Sequence, residues 1–176
     1  MARYRLLFTA AALALSALAL GASPYVGEQS RAIKSLSDHE VADYLAGKGM
    51  GFAKAAELNG YPGPAHVLEL ADKLALTPAQ KQNTAQLFGR MQSRAGALGA
   101  RLVDEERALD ASFASKSISR DELARALRSI AALQGQIRET HLQAHLDQAE
   151  ILSENQKAEY WRLRGYATDA SSHHRH

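Results

Sequence analysis

Two histidines near the end of the chain stand at a spacing that can bind a metal ion. His141 and His145 form the stretch HLQAH, and residues four apart lie on one face of a helix. Two imidazoles placed in this way can hold a zinc, copper or nickel ion. A zincin has a glutamate directly after its first histidine, where this chain has Leu142, so the motif disfavours a metalloprotease. The pair is a candidate metal site, and two histidines at the edge of an ordinary helix are the alternative.

A third metal ligand would have to come from another part of the chain. An antiparallel neighbouring helix would place residues 89–93 opposite the pair, and this stretch offers Met91 but no histidine or carboxylate. We therefore expect His66, Glu57 or Glu69, or another subunit, to complete the site if a metal binds there.

The carboxyl-terminal tail carries three more histidines. His173, His174 and His176 lie in the sequence SSHHRH, and histidine-rich tracts bind metals through their composition alone. A site of this kind would be flexible and unselective. The alternative is that residues 167–176 form a disordered tail without a metal-binding role.

The sequence lacks the signatures of an enzyme. It has no cysteine, no G-x-S-x-G motif and no glycine-rich phosphate loop after a strand. The acidic run at Asp104, Glu105 and Glu106 is typical of a solvated helix face. We predict that the protein is not an enzyme, and that it has no catalytic residue and no cofactor beyond the zinc, nickel or copper ion considered above.

A pattern of the form L-[TS]-x-x-Q occurs twice and marks the start of two helices. Residues 76–80 read LTPAQ and residues 152–156 read LSENQ. In each copy the hydroxyl can accept from the amide three residues on, while the glutamine reaches back to the first amide, which is a capping box. Each copy therefore begins a helix after a break.

Further capping signals divide the rest of the chain into helices. Ser37 and Ser119 begin two more capping boxes, and Gly63-Pro64 begins another helix. The predicted helices are 38–46, 50–59, 64–75, 78–114, 120–151 and 154–164. The composition has few residues that favour strands. We predict an all-α fold in which the two long helices form a long antiparallel hairpin with short flanking helices.

The long helices carry apolar residues at alternating steps of three and four, which is typical of a coiled-coil-like seam. A hairpin of this length has two faces, and the short helices can cover only one of them. We therefore expect Leu102, Val103, Leu109 and Phe113 to be exposed or to lie in a homodimer interface.

Three glycines, Gly89, Gly96 and Gly99, lie beside the seam of the first long helix. Each costs about 1 kcal/mol relative to alanine in a helix interior. They indicate either the close approach of another helix or subunit, or weak points that let a long helix bend.

The first 21 residues have the features of a secretory signal peptide. Arg3 and Arg5 precede an uncharged apolar run that ends at Gly21, and the run is shorter than the roughly 20 residues of a spanning helix. We expect cleavage after Gly21 or Ala22 and a periplasmic protein, with an uncleaved membrane anchor as the alternative.

The mature chain would be nearly neutral in charge. The whole sequence has a formal net charge of +2, and residues 1–21 contain two arginines and no acid. A neutral chain lacks the basic excess that nucleic-acid binding needs, so we predict no nucleic-acid partner. We expect residues 22–36 to be a linker and residues 37–166 to be the helical hairpin domain.

With its export signal, its two motifs and its long central hairpin, the chain resembles the LTXXQ-motif proteins. These are the periplasmic Spy/CpxP-like proteins, to which the heavy-metal-resistance sensors related to CnrX and ZraP are similar. The motif residues are Leu76, Thr77 and Gln80, then Leu152, Ser153 and Gln156. The segments GMGFAKAAELNGYPGP at 49–64 and LRGY at 163–166 are also similar to a bacterial branch of this group.

The resemblance implies a periplasmic stress-response protein without covalent catalysis. Spy-like members are ATP-independent chaperones that are often dimeric, CpxP-like members dampen a sensor kinase, and CnrX-like members bind transition metals. We therefore expect a chaperone that binds unfolded clients through the partly apolar face of the hairpin. A heavy-metal-binding sensor or resistance protein is one alternative, and an inhibitory partner of a sensor kinase's periplasmic domain is the other.

Overall fold

The computed structural model describes residues 23–167, which form helices and no strand. Its α-helices are α1 Asp38–Leu45, α2 Lys54–Glu57, α3 Pro64–Glu69, α4 Pro78–Ala114, α5 Arg120–Ile151 and α6 Glu154–Leu163. A short 3-10 turn at Glu28–Ser30 precedes them. The prediction of an all-α fold is confirmed for this part of the chain. The predicted signal peptide at 1–21 lies outside the described residues.

The four predicted capping boxes are all present, at Ser37, Thr77, Ser119 and Ser153. In each, the hydroxyl accepts from the backbone N–H three residues on, and the glutamate or glutamine at that position accepts from the first N–H. Two N–H groups at each helix start thus find local acceptors, and α4 and α5 begin at the predicted residues as a result.

Two short helices are much shorter than predicted. Instead of 50–59, only Lys54–Glu57 is helical, because the preceding loop has positive φ at Met50 and Gly51. Instead of 64–75, the helix ends at Glu69, and the turns that follow it reach Ala75 at φ 48. Positive φ does not fit a right-handed helix, so these loops interrupt the apolar pattern from which the longer helices were predicted.

The two long helices are joined by residues 115–119 and pack against each other. The beginning of α4 lies at the end of α5, where Gln80 Nε2 donates to the carbonyl oxygen of Ile151 at 2.9 Å. Apolar residues of the two long helices supply one buried cluster, formed by Leu98, Leu102, Ile130, Leu133 and Ile137.

The end of α1 packs closely on α4 through two of the seam glycines. A Cβ atom added to Gly99 would overlap the carbonyl oxygen of Tyr44, and one added to Gly96 would lie 2.9 Å from the carbonyl oxygen of Leu45. Close approach of another helix is therefore the correct alternative at both positions. A Cβ atom at Gly89 would meet nothing within 4 Å.

The segment before α1, predicted as a linker, packs on α4. Ile33 and Leu36 are buried together with Val103. Polar contacts strengthen this attachment, since the Lys34 ammonium lies 3.3 Å from the Asp110 carboxylate. The core of the domain therefore includes residues that precede residue 37.

This packing corrects the expectation for the apolar residues near the end of α4. Leu102 and Val103 are only 1% and 2% exposed within a single chain, because α5 covers the first and the amino-terminal segment covers the second. Phe113 differs from them and is 54% exposed. Among residues 23–167, no helix is both long enough and apolar enough to cross a membrane.

Candidate ligand-binding cleft

A cleft of about 520 Å³ opens where the loops around α2 meet α4 and α5. His141 and His145 both line it, so the structure brings the two histidines of HLQAH to one cavity. The apolar part of its wall includes Met50, Phe88 and Met91. A cavity of this size with mostly apolar walls and a few polar groups is typical of small-ligand sites.

Glu57, the last residue of α2, is the most highly connected polar side chain at the cleft. It is 9% exposed. Its Oε1 accepts from Tyr160 Oη at 2.7 Å, from Arg164 Nε at 3.2 Å and from Tyr166 Oη at 3.2 Å. One oxygen of the buried carboxylate is thus paired with a guanidinium and two hydroxyls, which offsets part of the loss of hydration, whereas Oε2 has no hydrogen-bond partner.

These contacts change the ionisation of Tyr160. Burial, and then the neighbouring carboxylate of Glu57, raise the pKa of the Tyr160 phenol far above its usual range. The phenol therefore remains a hydrogen-bond donor to Glu57 at any physiological pH. It also accepts from the backbone N–H of Gly63 at 3.4 Å, and so ties α6 to the α2–α3 connection.

His145 is oriented by a backbone carbonyl. Its Nδ1 lies 2.8 Å from the carbonyl oxygen of Tyr61. A carbonyl oxygen can only accept, so Nδ1 carries the proton and donates, and in the neutral ring Nε2 keeps its lone pair. A Cβ atom on Gly63 would lie 3.0 Å from that Nε2, so the glycine leaves space beside this nitrogen.

His141 is buried, and one of its nitrogens is unsatisfied. The residue is 3% exposed, its Nε2 has no hydrogen-bond partner, and its ring stacks on Phe52 with centroids 6.2 Å apart. Burial, followed by the proximity of His145, lowers the pKa of His141 below its usual range, against a hydrogen bond with the Lys48 backbone that raises it. The ring is therefore neutral at physiological pH, and its free lone pair is available to a ligand.

A strained loop brings a methionine to the cleft. Gly47, Met50 and Gly51 have φ angles of 64°, 44° and 81°. Glycine adopts such angles freely, whereas for other residues the left-handed conformation costs roughly 1–2 kcal/mol. Met50 is held there nonetheless, and it lines the same cleft as Met91 of α4.

Of the three residues expected to supply a third ligand, two line the cleft. Glu57 and His66 line the same cleft as the two histidines, and Glu69 does not. His66 Nδ1 lies 3.9 Å from Glu57 Oε1. Within residues 23–167, no three histidine, aspartate or glutamate side chains are placed to hold one metal ion. The histidines predicted in the tail, His173, His174 and His176, lie outside the described residues.

The two L-[TS]-x-x-Q motifs contact each other at the beginning of α4. Gln80 Nε2 donates to Gln156 Oε1 at 2.8 Å, and Gln156 Nε2 donates to Gln80 Oε1 at 3.1 Å. The motif leucines join one apolar cluster with Tyr160, whose buried members are Val67, Leu74, Leu76, Leu152 and Tyr160. The motifs thus connect the starts of α4 and α6, and their cluster includes Tyr160, which donates to the cleft residue Glu57.

Sequence reasoning missed the partners of Glu57 and the position of Met50 in the cleft wall. No spacing rule connects α2 with Tyr160, Arg164 and Tyr166, which lie about a hundred residues later. A signal was nevertheless present, since 49–64 and 163–166 were the two segments that are similar to one group of proteins. In the structure both segments meet at Glu57.

Comparison of the chain with protein-family models, with curated proteins and with solved structures finds no match. The assignment of a function therefore depends on the geometry described above and on the resemblance of the motifs.

Proposed function

We propose that the protein is a periplasmic, ATP-independent chaperone and envelope-stress protein of the Spy/CpxP type that binds unfolded clients. In this proposal α4 and α5 are the long antiparallel hairpin of that type, and the chain acts without covalent catalysis. Export by the signal peptide at residues 1–21 and a homodimer are parts of the same proposal.

The reciprocal contact of Gln80 and Gln156 is the observation that carries the proposal. Two short motifs alone are a weak resemblance, because capping boxes are common. Here the two copies also contact each other through both amides and fasten α6 to the beginning of α4. A joint structural role explains why one chain uses both copies, and it supports the resemblance to the LTXXQ-motif proteins.

Exposed apolar side chains on the long helices offer a surface for clients. Phe113 on α4 is 54% exposed, and Leu127 and Leu146 on α5 are 49% and 44% exposed. Phe113 also lines a groove of about 490 Å³ together with Leu109. Unfolded chains expose apolar groups, so scattered apolar contacts of this kind can hold them without a specific sequence.

An aggregation assay tests the chaperone proposal. The mature chain is mixed, without ATP, with a chemically denatured model client at substoichiometric and equimolar ratios, and light scattering is followed. We expect slower aggregation at the equimolar ratio. Equal aggregation with and without the protein would contradict the proposal.

A periplasmic metal-binding role, as in CnrX/ZraP-like sensors or resistance proteins, is the second candidate. It is favoured by the two histidines in one cleft, where His141 Nε2 has no partner and His145 Nε2 keeps its lone pair. The third possibility, inhibition of a sensor kinase, has no feature of the described residues in its favour.

Calorimetry tests the second candidate. Zinc or nickel should bind the mature chain, and binding should weaken in acid, because ligating imidazoles must be neutral. Replacement of His141 or His145 with alanine should abolish binding, whereas replacement of His173, His174 and His176 should not. The reverse result would place all metal binding in the tail.

A further inference from the structure

The two free histidine nitrogens share their cleft with the two methionines of the described chain. We propose that this cleft binds the soft monovalent ion Cu(I) through His141 Nε2, His145 Nε2 and the thioether sulfurs of Met50 and Met91. The inference rests on the second proposed function, metal binding, and adds the class of ion and two ligands.

The available ligand types select the ion. Zinc sites in proteins use cysteine, histidine, aspartate and glutamate, and residues 23–167 hold no group of three such side chains arranged for a metal. Thioether sulfur is a soft ligand that selects Cu(I), and imidazole also suits copper. Two imidazoles and two thioethers are therefore a set that copper can use and that hard cations cannot.

The position of Met50 indicates that its side chain is used. Three of the five residues in the loop 47–51 are glycine, and Met50 has a φ of 44° that glycine would adopt without strain. Strained residues persist where the surroundings determine them, and they cluster at ligand sites. A methionine retained in this conformation at the wall of a cleft thus indicates a role for its sulfur.

Both histidines are held in a form that suits metal binding. The Tyr61 carbonyl fixes the proton of His145 on Nδ1, 2.8 Å away, and such outer contacts orient the ligand ring. His141 Nε2 is buried without a partner, which is costly for a polar atom unless something binds there. The wall thus presents two lone pairs that protein atoms do not use.

The charges around the cleft favour a monovalent ion. Two anionic side chains line it, Asp43 and Glu57, and two cationic ones, Lys48 and Lys54. Asp43 is paired with Lys48 at 2.7 Å, and Glu57 with Arg164 at 3.2 Å. Both carboxylates are thus already paired with a cation, although Glu57 Oε2 itself has no hydrogen-bond partner. Burial of an uncompensated charge is expensive, so one positive charge costs less to bury here than two.

Competition with a chromogenic Cu(I) chelator, under anaerobic reducing conditions, tests the inference. The probe protein is the mature chain with His173, His174 and His176 replaced by alanine, and Ag(I) serves as a redox-inert second probe. We expect one equivalent of Cu(I) to bind, with at least about tenfold weaker affinity in Met91→Leu and in Met50→Leu. Leucine nearly conserves the volume of methionine, so these variants keep the packing.

A second variant blocks the site without removal of a ligand. Gly63→Ala would place a methyl group 3.0 Å from His145 Nε2, at an ordinary extended backbone with φ −84°, and should also weaken Cu(I) binding at least about tenfold. His39→Ala is the matched control, because its side chain is 81% exposed and lies outside the cleft lining. Circular dichroism checks that each variant is folded.

The outcomes separate this inference from the function on which it rests. Cu(I) affinity that is unchanged in both methionine variants, or absence of Cu(I) binding in the tail-substituted chain, would overturn the inference. If zinc or nickel still bound in a His141-dependent manner, the metal-binding function would survive. If no metal bound, both would fall, and the chaperone proposal would be unaffected.

Discussion

Gln80 and Gln156 hold each other through both ends of their side-chain amides, at 2.8 and 3.1 Å. Each also closes a capping box of its own helix, since Gln80 Oε1 accepts from Thr77 N and Gln156 Oε1 accepts from Ser153 N, both at 3.0 Å. Each amide nitrogen has a further backbone acceptor, at Ile151 and Leu74. One pair of residues thus caps α4 and α6 and also binds the end of α5 and the segment before α4.

Removal of either glutamine should destabilise the fold. Gln80→Ala leaves a helix N-terminal amide and a partly buried carbonyl without partners, which should cost about 1–3 kcal/mol. Gln156→Ala should cost a similar amount, and the double variant should lose less than the sum by about 0.5 kcal/mol or more, because the two share bonds. Urea unfolding measures all three. The exposed neighbour Gln82→Ala should be neutral, and strict additivity would show that the pair is not coupled.

Two glycines of α4 should respond in opposite ways to replacement by alanine. Gly99→Ala forces a Cβ atom onto the Tyr44 carbonyl oxygen, so α1 must move, and we expect a loss of about 1–3 kcal/mol. Gly89→Ala meets open space and should stabilise α4 by up to about 1 kcal/mol. Thermal or urea unfolding of the two variants makes the comparison. Equal effects would contradict close packing of α1 on α4.

The buried ring of His141 should make the fold less stable in mild acid. Burial and His145 lower its pKa in the folded chain, whereas in the unfolded chain it stays near 6.5. Above that pH the His141 ring is neutral in both the folded and the unfolded chain, and it does not change the free energy of unfolding. As the pH falls below about 6.5, the unfolded chain takes up a proton that the folded chain resists, so the free energy of unfolding decreases.

Replacement of the ring isolates this effect. Urea unfolding of wild type and His141→Gln between pH 8 and pH 5 should show a steeper loss for wild type, while contributions from the carboxylates cancel in the comparison. Parallel curves for the two proteins would show that His141 does not resist protonation.

Local chemistry explains which parts of the fold the sequence could predict. α4 and α5 begin at the predicted residues because the capping boxes at Thr77 and Ser119 are local signals. The helices around Glu57 were predicted too long because positive φ at Met50 and Ala75 cannot be read from an apolar pattern. The burial of Val103 depends on a distant segment, which no periodicity within α4 reveals.

The sequence could likewise predict some features of the candidate site and not others. The spacing of His141 and His145 predicted that they share one face, and both line one cleft. The contacts of Glu57 with Tyr160 and Arg164 join α2 to α6, and such long-range pairs have no spacing signature. The free nitrogen of His141 is a property of packing, so only the folded chain reveals it.

The aggregation of a denatured client in the presence of surface variants tests the proposed chaperone function most directly. Phe113 and Leu127 are 54% and 49% exposed, and Leu58, in the connection after α2, is a matched control at 54%. At an equimolar ratio and without ATP, wild type and Leu58→Ser should slow the rise of light scattering, and the double variant Phe113→Ser and Leu127→Ser should lose much of this effect while it keeps its helical content. A client that aggregates as fast with wild type as with buffer alone would contradict the account.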